Sequence, residues 1–312
     1  MRILFMGTPD FAEVVLSYII NAGHEVVGVI SQPDRKKGRG QKVVFTPVHA
    51  FAEEHNLRFF APESIKNGEL CEVLEDTRPD MIVVVAYGKI LPEYVLNYPK
   101  YGCINVHASL LPKYRGAAPI QWAIINGEKT TGVTTMFMEK GLDTGDMLLK
   151  EEVTIGENET AEELFDRLSH VGGKLILKTI EAAEKGELKP EKQNENESSY
   201  ASMIDKKMGE INWSDNIFKI KNLVRGLNSW PLSYTYYKGS LLKVGSVRAI
   251  PETHNEPFGK IKKASSKEGL FVYAEGGVLE ILTCQAEGKK MMSAKDYLMG
   301  HSLTEGEILG GN

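Results

Sequence analysis

At 312 residues, with 42% hydrophobic and 25% charged residues, the chain has an ordinary globular composition and a length that suits two domains. No apolar run reaches membrane-spanning length, and Met1-Arg2-Ile3-Leu4-Phe5 enters a strand pattern rather than a signal peptide. Three scattered cysteines, Cys71, Cys103 and Cys284, argue against a disulfide framework and a zinc site, and point to a reducing, cytoplasmic setting. The formal net charge of −5 by itself disfavours a nucleic-acid partner. Its distribution does not: Lys206 to Asn312 holds 15 Lys and Arg against 11 Asp and Glu, whereas residues 1–205 hold 22 against 31.

In chain order, Met1 to Met6 is an apolar strand. Thr8 suits a helix N-cap, Pro9 the first helical position and Gly23 the stop. A second strand, Glu25 to Ile30, completes a βαβ opening and predicts a parallel, Rossmann-like sheet. Gly7-Thr8-Pro9-Asp10 is not the dinucleotide fingerprint, so no nicotinamide or flavin is expected. Ser31 to Lys42 carries Arg35, Lys36, Lys37, Arg39 and Lys42 among glycines and turn residues. It reads as a flexible basic loop, either a solvated surface or a phosphate-docking element.

Helical patterns follow at Pro47 to Asn56 and Glu69 to Asp76. Met81 to Tyr87 is a continuous apolar run, as a central parallel strand buried on both faces requires. A strand at Cys103 to His107 leads to Tyr114-Arg115-Gly116-Ala117-Ala118-Pro119, where Pro119 opens a short helix. Thr130 to Met138 alternates as a strand, Gly141 to Asp146 is a tight loop, and another strand runs through Val153-Thr154-Ile155. Thr160 and Glu163 form a capping box for a helix with Leu164, Leu168, Val171 and Leu175 as its apolar stripe. The polar stretch Glu184 to Ser202 reads as an extended linker. Short strands separated by turns at Lys238-Gly239, Glu268-Gly269 and Gly276-Gly277 predict a small β-barrel. The expected organisation is thus an α/β domain at 1–183 with a mostly parallel sheet, a linker at 184–205 and a smaller C-terminal, OB-like β-barrel at 206–312. No self-association stripe is visible, so a monomer is expected.

The chemistry centres on Asn105-Val106-His107. Strand residues alternate faces, so Asn105 and His107 share one, with Cα atoms about 6.5 Å apart. Pro112 cannot donate to a ladder, which places the pair where a strand runs out into a loop, a common position for chemistry in open α/β sheets. An amide and an imidazole can serve an acyl or formyl transfer to an amine: N–H donors stabilise the oxyanion, and His moves protons near neutral pH. A carboxylate would orient the imidazole and stabilise its cation. Asp143 and Asp146 are equal candidates on composition, and Asp143, in its loop between Gly141 and Gly145, is equally explicable as a turn residue.

The stretch from Asn105 to Ile120, followed by Gly141-Leu142-Asp143-Thr144-Gly145, closely resembles the folate-dependent formyltransferases. Arg2 to Phe11 and Gly38-Arg39-Gly40 narrow the match to the branch acting on charged tRNA. The resemblance covers nearly the whole chain, the linker and barrel in layout more than in motif. It implies that Asn105, His107 and Asp143 are the catalytic trio, and that Ser109, Leu110, Leu111 and Pro112 line the 10-formyltetrahydrofolate site, with Tyr87-Gly88 and Ile90 as the other wall. It implies that Arg39 engages the tRNA acceptor end and that Lys206 and Lys207 touch tRNA phosphates. The implied reaction formylates the α-amine of methionyl-initiator tRNA, without a metal. The alternatives are formylation of a small amine, hydrolysis of the formyl donor, and a non-enzymatic nucleic-acid-binding module.

Overall fold

The computed structural model describes residues 1–37 and 42–310, with the side chains of Lys36, Lys37 and Lys42 left aside. The chain forms two compact units. The first comprises Met1–Pro119, Thr130–Thr154 and Phe165–Ala201, and the second Ile120–Lys129, Ile155–Leu164 and Ser202–Asn312.

In chain order the elements are β1 (Arg2–Gly7), α1 (Asp10–Asn21), β2 (Glu25–Ile30), β3 (Arg35–Lys37), β4 (Lys42–Val44), α2 (Pro47–Glu54), β5 (Phe59–Phe60), α3 (Cys71–Thr77), β6 (Met81–Val85), α4 (Glu93–Leu96) and β7 (Cys103–His107). Next come β8 (Arg115–Gly116), α5 (Pro119–Ile125), β9 (Thr130–Phe137), β10 (Met147–Thr154), α6 (Ala161–Lys185), β11 (Tyr200–Ala201) and α7 (Ile217–Gly226). The chain continues through β12 (Ser233–Tyr237), β13 (Ser240–Pro251), β14 (Ile261–Ser265), β15 (Gly269–Ala274), β16 (Gly277–Ala286), β17 (Met292–Ser293) and α8 (Ala294–Gly300).

The first unit is built on a seven-stranded sheet of order β10-β9-β7-β6-β1-β2-β5. Its five strands from β7 to β5 are parallel, and β9 and β10 run antiparallel to their inner neighbours. All five residues of β6 are buried, as its unbroken apolar run requires of a strand covered on both faces. The strand order reverses beside β1, so the loops leaving β1, β6 and β7 open at the same sheet edge, where such folds place their ligands. On one face Ile82, Val84, Tyr87, Leu91, Val95 and Cys103 form a continuous core. On the other, α6 approaches closely because it carries Gly172 and Gly173: a Cβ at 173 would lie 2.4 Å from the Tyr18 ring.

Several local expectations shift. Pro9, not Thr8, occupies the N-cap of α1 and supplies no side-chain cap. The Thr8 hydroxyl instead accepts from the Gln32 N–H at 3.3 Å and faces the Tyr87 carbonyl at 3.5 Å, tying two strand ends together. The arms of the basic loop are short strands, β3 and β4, paired antiparallel. The polar stretch after α6 is packed on the first unit: β11 pairs in parallel with β8, and Met147 bridges to Glu191. Its polar side chains bind loop groups in place of water, so low hydrophobicity did not signal a free linker.

The second unit holds an antiparallel sheet of order β12-β13-β16-β15-β14, with β17 on β16. Residues 306–310 reach from the chain entering β14, through Ile261 N–H to Glu307 O and Leu309 N–H to Gly259 O, to Tyr236 of β12 through the Gly310 N–H. That span links the two edge strands, as a barrel-like closure needs. The core is completed by the Ile217, Ile220 and Val224 stripe of α7 and by Trp213, whose indole N–H donates to Thr235 Oγ1 at 3.0 Å.

Candidate active site

β7 delivers Asn105 and His107 to one face of the sheet, 9% and 6% exposed, while Ile104 and Val106 point the other way. The partner arrives from the bend between β9 and β10. Asp143 there adopts φ = +53°, a left-handed conformation that Asp tolerates better than most residues. This turns its carboxylate onto the strand pair. Asn105 Nδ2 donates to Asp143 Oδ1 at 3.3 Å, the Gly116 N–H donates to Oδ2 at 2.8 Å, and His107 Nδ1 lies 3.6 Å from Oδ2. Of the two aspartates it is Asp143 whose carboxylate meets the strand pair; Asp146 contributes its backbone carbonyl to the Phe137 N–H of the hairpin.

The remaining contacts fix the state of the imidazole. His107 Nε2 lies 2.9 Å from the Tyr114 carbonyl, which can only accept, so Nε2 carries a proton and Nδ1 is the nitrogen that can gain or lose one. A proton gained at Nδ1 faces the Asp143 carboxylate. The Asn105 amide has two N–H donors. One is committed to Asp143, and the other is available to a substrate oxygen.

A supporting layer that sequence reasoning missed lies in the supposed linker. Gln193 Nε2 donates to the carbonyls of Asp143 and Gly145, both at 2.8 Å, clamping the backbone of the bend. Gln193 Oε1 accepts from Arg115 Nε at 2.8 Å, and the same guanidinium grips Glu195 through both carboxylate oxygens at 2.8 and 2.9 Å. That pairing holds the Glu195 carboxyl below its usual range. Tyr114 N–H donates to Ser199 Oγ at 2.9 Å, so the carbonyl that orders His107 is itself tied to this segment. Gly116 has φ = +114°, and a Cβ there would lie 2.6 Å from the Ala201 carbonyl. Only glycine lets the chain present its N–H to Asp143 while pairing with β11. Nothing in the spacing of Gln193 signalled this role, because it depends on a fold-back across about fifty residues.

The expected donor-binding stretch is largely internal. Ser109 is fully buried and donates to the Lys113 carbonyl at 2.7 Å. Leu111 packs with Met136 and Met147, its N–H donating to Thr134 Oγ1 at 3.1 Å. Pro112 is buried and follows a cis peptide bond, and Leu110 alone of the four is partly exposed. The Tyr87 ring belongs to the core, where burial pushes its hydroxyl pKa up to about 12, so it is not a wall. Its carbonyl accepts from Gln32 Nε2 at 2.9 Å. Ile90, 72% exposed, and Leu142, 53% exposed, stand on the two loops beside the trio, which Lys140 and Glu93 join at 2.5 Å. A polar trio with exposed apolar side chains beside it fits a flat heterocycle carrying a reactive carbonyl.

Arg39 lies outside the described residues. Lys206 and Lys207 are exposed in the second unit, where Asp205 Oδ1 accepts from the Lys207 N–H at 2.7 Å. Both are carried by the chain that follows β11.

Residues 1–180 match the formyl transferase family, and residues 203–302 match the formyl transferase C-terminal domain. Methionyl-tRNA formyltransferases of Caldanaerobacter subterraneus subsp. tengcongensis and Alkaliphilus oremlandii are each 49% identical over 99% of this chain and 100% of their own length. In fold, the chain is similar to the N-formyltransferase of Helicobacter canadensis in complex with folinic acid and dTDP-3-aminofucose, at a TM-score of 0.67 and 21% identity, covering 90% of this chain and 99% of that one. The chain belongs to the formyltransferase family, as a full-length relative of its methionyl-tRNA formyltransferases.

Proposed function

We infer that this chain transfers the formyl group of 10-formyltetrahydrofolate to the α-amine of methionyl-initiator tRNA, and that Asn105, His107 and Asp143 carry the transfer. The observation behind this reading is the Asp143 carboxylate meeting both the Asn105 amide and the Nδ1 side of a tautomer-fixed His107. Full-length identity to methionyl-tRNA formyltransferases supports the acceptor. Ile90, Leu142 and Leu110 would hold the pterin portion of the donor, which supplies an activated formyl carbon.

The amine nitrogen forms a bond to the formyl carbon, and the carbonyl electron pair moves onto oxygen. The free Asn105 N–H stabilises that oxyanion; loss of one such donor typically costs about 10²–10³ in rate. His107 Nδ1 takes the proton the amine must lose, and the resulting imidazolium is stabilised by Asp143. Collapse breaks the bond between the formyl carbon and the donor nitrogen, and Nδ1 returns the proton to that nitrogen. The 3.6 Å separation of Nδ1 from Asp143 leaves room for this pair to tighten once the proton arrives.

Basic side chains engage the tRNA: Arg39 at the acceptor end, Lys206 and Lys207 on phosphates. Among the described residues no helix is long and apolar enough to cross a membrane. Free thiols at Cys71, Cys103 and Cys284 agree with a reducing cytoplasm, and the trio with its supports comes from one chain, consistent with a monomer. The test is formylation of charged tRNA against a small amine, with donor hydrolysis followed in parallel. Turnover should require methionyl-tRNA, and binding should weaken with salt at a log-log slope of about −4, as roughly five phosphate contacts give. Equal turnover of a small amine, or release of formate without acceptor, would replace this reading.

A further inference from the structure

Beside the basic hairpin stands an aromatic column that the catalytic chemistry leaves unused. The His49 ring lies between two phenylalanines: parallel to Phe59, 3.8 Å between centroids and 2° between planes, and stacked on Phe45 at 4.1 Å and 27°. Phe59 belongs to edge strand β5, so one end of the column is rooted in the main sheet. The other end is open, with Phe45 50% exposed although phenylalanine ordinarily buries its ring.

The column is held in place by polar contacts at its middle. His49 Nδ1 meets Asp34 Oδ2 at 2.8 Å, and the other oxygen of Asp34 accepts from the Thr46 N–H at 2.9 Å. Thr46 caps α2 by accepting the His49 N–H at 3.2 Å, and its hydroxyl meets Ser31 Oγ at 2.9 Å. Phe45 lies directly between strand β4 and this cap, so its backbone is fixed from both sides. A ring so anchored can receive a second flat group at little cost in conformational freedom.

Charge decides which flat group. Arg35 to Phe45 holds five cations and no carboxylate, and the carboxylate just before it, Asp34, is engaged by His49 and Thr46. An exposed planar ring that directly follows a run of cations in the sequence is the pairing used for exposed nucleobases with their phosphates, where the ring stacks on the base and cations follow the backbone. Val43 and Val44, in the strand that leads into Phe45, are also exposed. We propose that Phe45 is a stacking platform for an unpaired nucleobase at the acceptor end of the tRNA, with His49 and Phe59 as its rigid backing. This rests on the tRNA acceptor proposed above.

The experiment compares Phe45→Ala, Phe45→Leu and Phe45→Trp by binding of uncharged initiator tRNA and by steady-state formylation. Stacking predicts that Ala and Leu both weaken tRNA binding by about tenfold and raise the KM for charged tRNA alike, with the KM for formyl-folate unchanged. Phe45→Trp should retain wild-type affinity, and the emission it adds over the wild-type background should be quenched by tRNA. Wild-type affinity in Phe45→Leu, or unquenched Trp emission with tRNA bound, overturns stacking while leaving the proposed function intact. Absence of tRNA binding by the wild-type chain overturns both.

Discussion

Among the described residues the first unit holds two His–Asp pairs, and the tighter one is not at the proposed reacting centre. His49 and Asp34 lie 2.8 Å apart, His107 and Asp143 3.6 Å. In the first pair both faces of the ring are covered by phenylalanines, and Asp34 joins the two ends of a hairpin. That imidazole is a structural plug. In the second pair Nε2 is committed to a carbonyl, Nδ1 is left to exchange a proton, and the carboxylate also holds an amide with a spare donor. Proximity therefore marks neither function by itself. What separates the pairs is which atoms remain uncommitted once the local hydrogen bonds are counted.

The largest effects should follow from breaking the second pair. Asn105→Ala, His107→Ala and Asp143→Ala should each lower kcat by at least about 10²-fold with folding intact. Circular dichroism and single-turnover formylation check both halves. Near-normal turnover in His107→Ala would show that proton transfer runs elsewhere. The sharper contrast is the same conservative change at both sites. Asp143→Asn removes the charge that stabilises a protonated Nδ1 and should cost about 10²-fold or more in kcat. Asp34→Asn should leave kcat within about twofold.

Support for the catalytic bend comes next in size. Gln193→Ala frees the carbonyls of Asp143 and Gly145 and releases Arg115, and should lower kcat about tenfold, because misplaced reacting groups lose rate steeply. Gln193→Glu keeps the shape but loses the amide donors, and should resemble Ala. If both variants retain wild-type kcat, the bend is held adequately by its own hairpin.

These contacts also show what could be read in the sequence and what could not. The βαβ opening, the buried β6 and the Asn105/His107 register were legible, because alternation and apolar runs report burial directly. The Thr160/Glu163 capping box was legible for the same local reason, and Thr160 N–H meets Glu163 Oε2 at 2.9 Å. Asp143 could be narrowed to two aspartates, since a loop's composition does not say which carboxylate turns inward. Gln193 was invisible, because a polar segment has the same composition whether it meets water or loop carbonyls. The basic stretch was read as a loop because its turn residues hide two three-residue strands. Ser109 and Leu111, expected to line the donor site and found buried, show a further limit: a motif marks a segment, not which of its atoms are exposed to a ligand.

On the hairpin side the effects should fall on substrate capture. Arg39→Ala should raise the KM for charged tRNA several-fold and leave that for formyl-folate unchanged, since one lost phosphate contact weakens binding without touching the reacting carbon. An equal rise in both would assign the loop to the folate.

The smallest effect completes the contrast between the pairs. Asp34→Asn retains an oxygen for the Thr46 N–H but loses the charge beside His49, so the hairpin base should loosen without opening. The expected result is a twofold to threefold rise in the KM for charged tRNA, roughly the effect of weakening one partly buried charge-assisted hydrogen bond. His49→Gln should do more, because it also removes the middle ring from under Phe45. Loss of kcat in either variant, with both KM values unchanged, would mean that this pair communicates with the reacting centre, and the division between a structural and a chemical imidazole would fail.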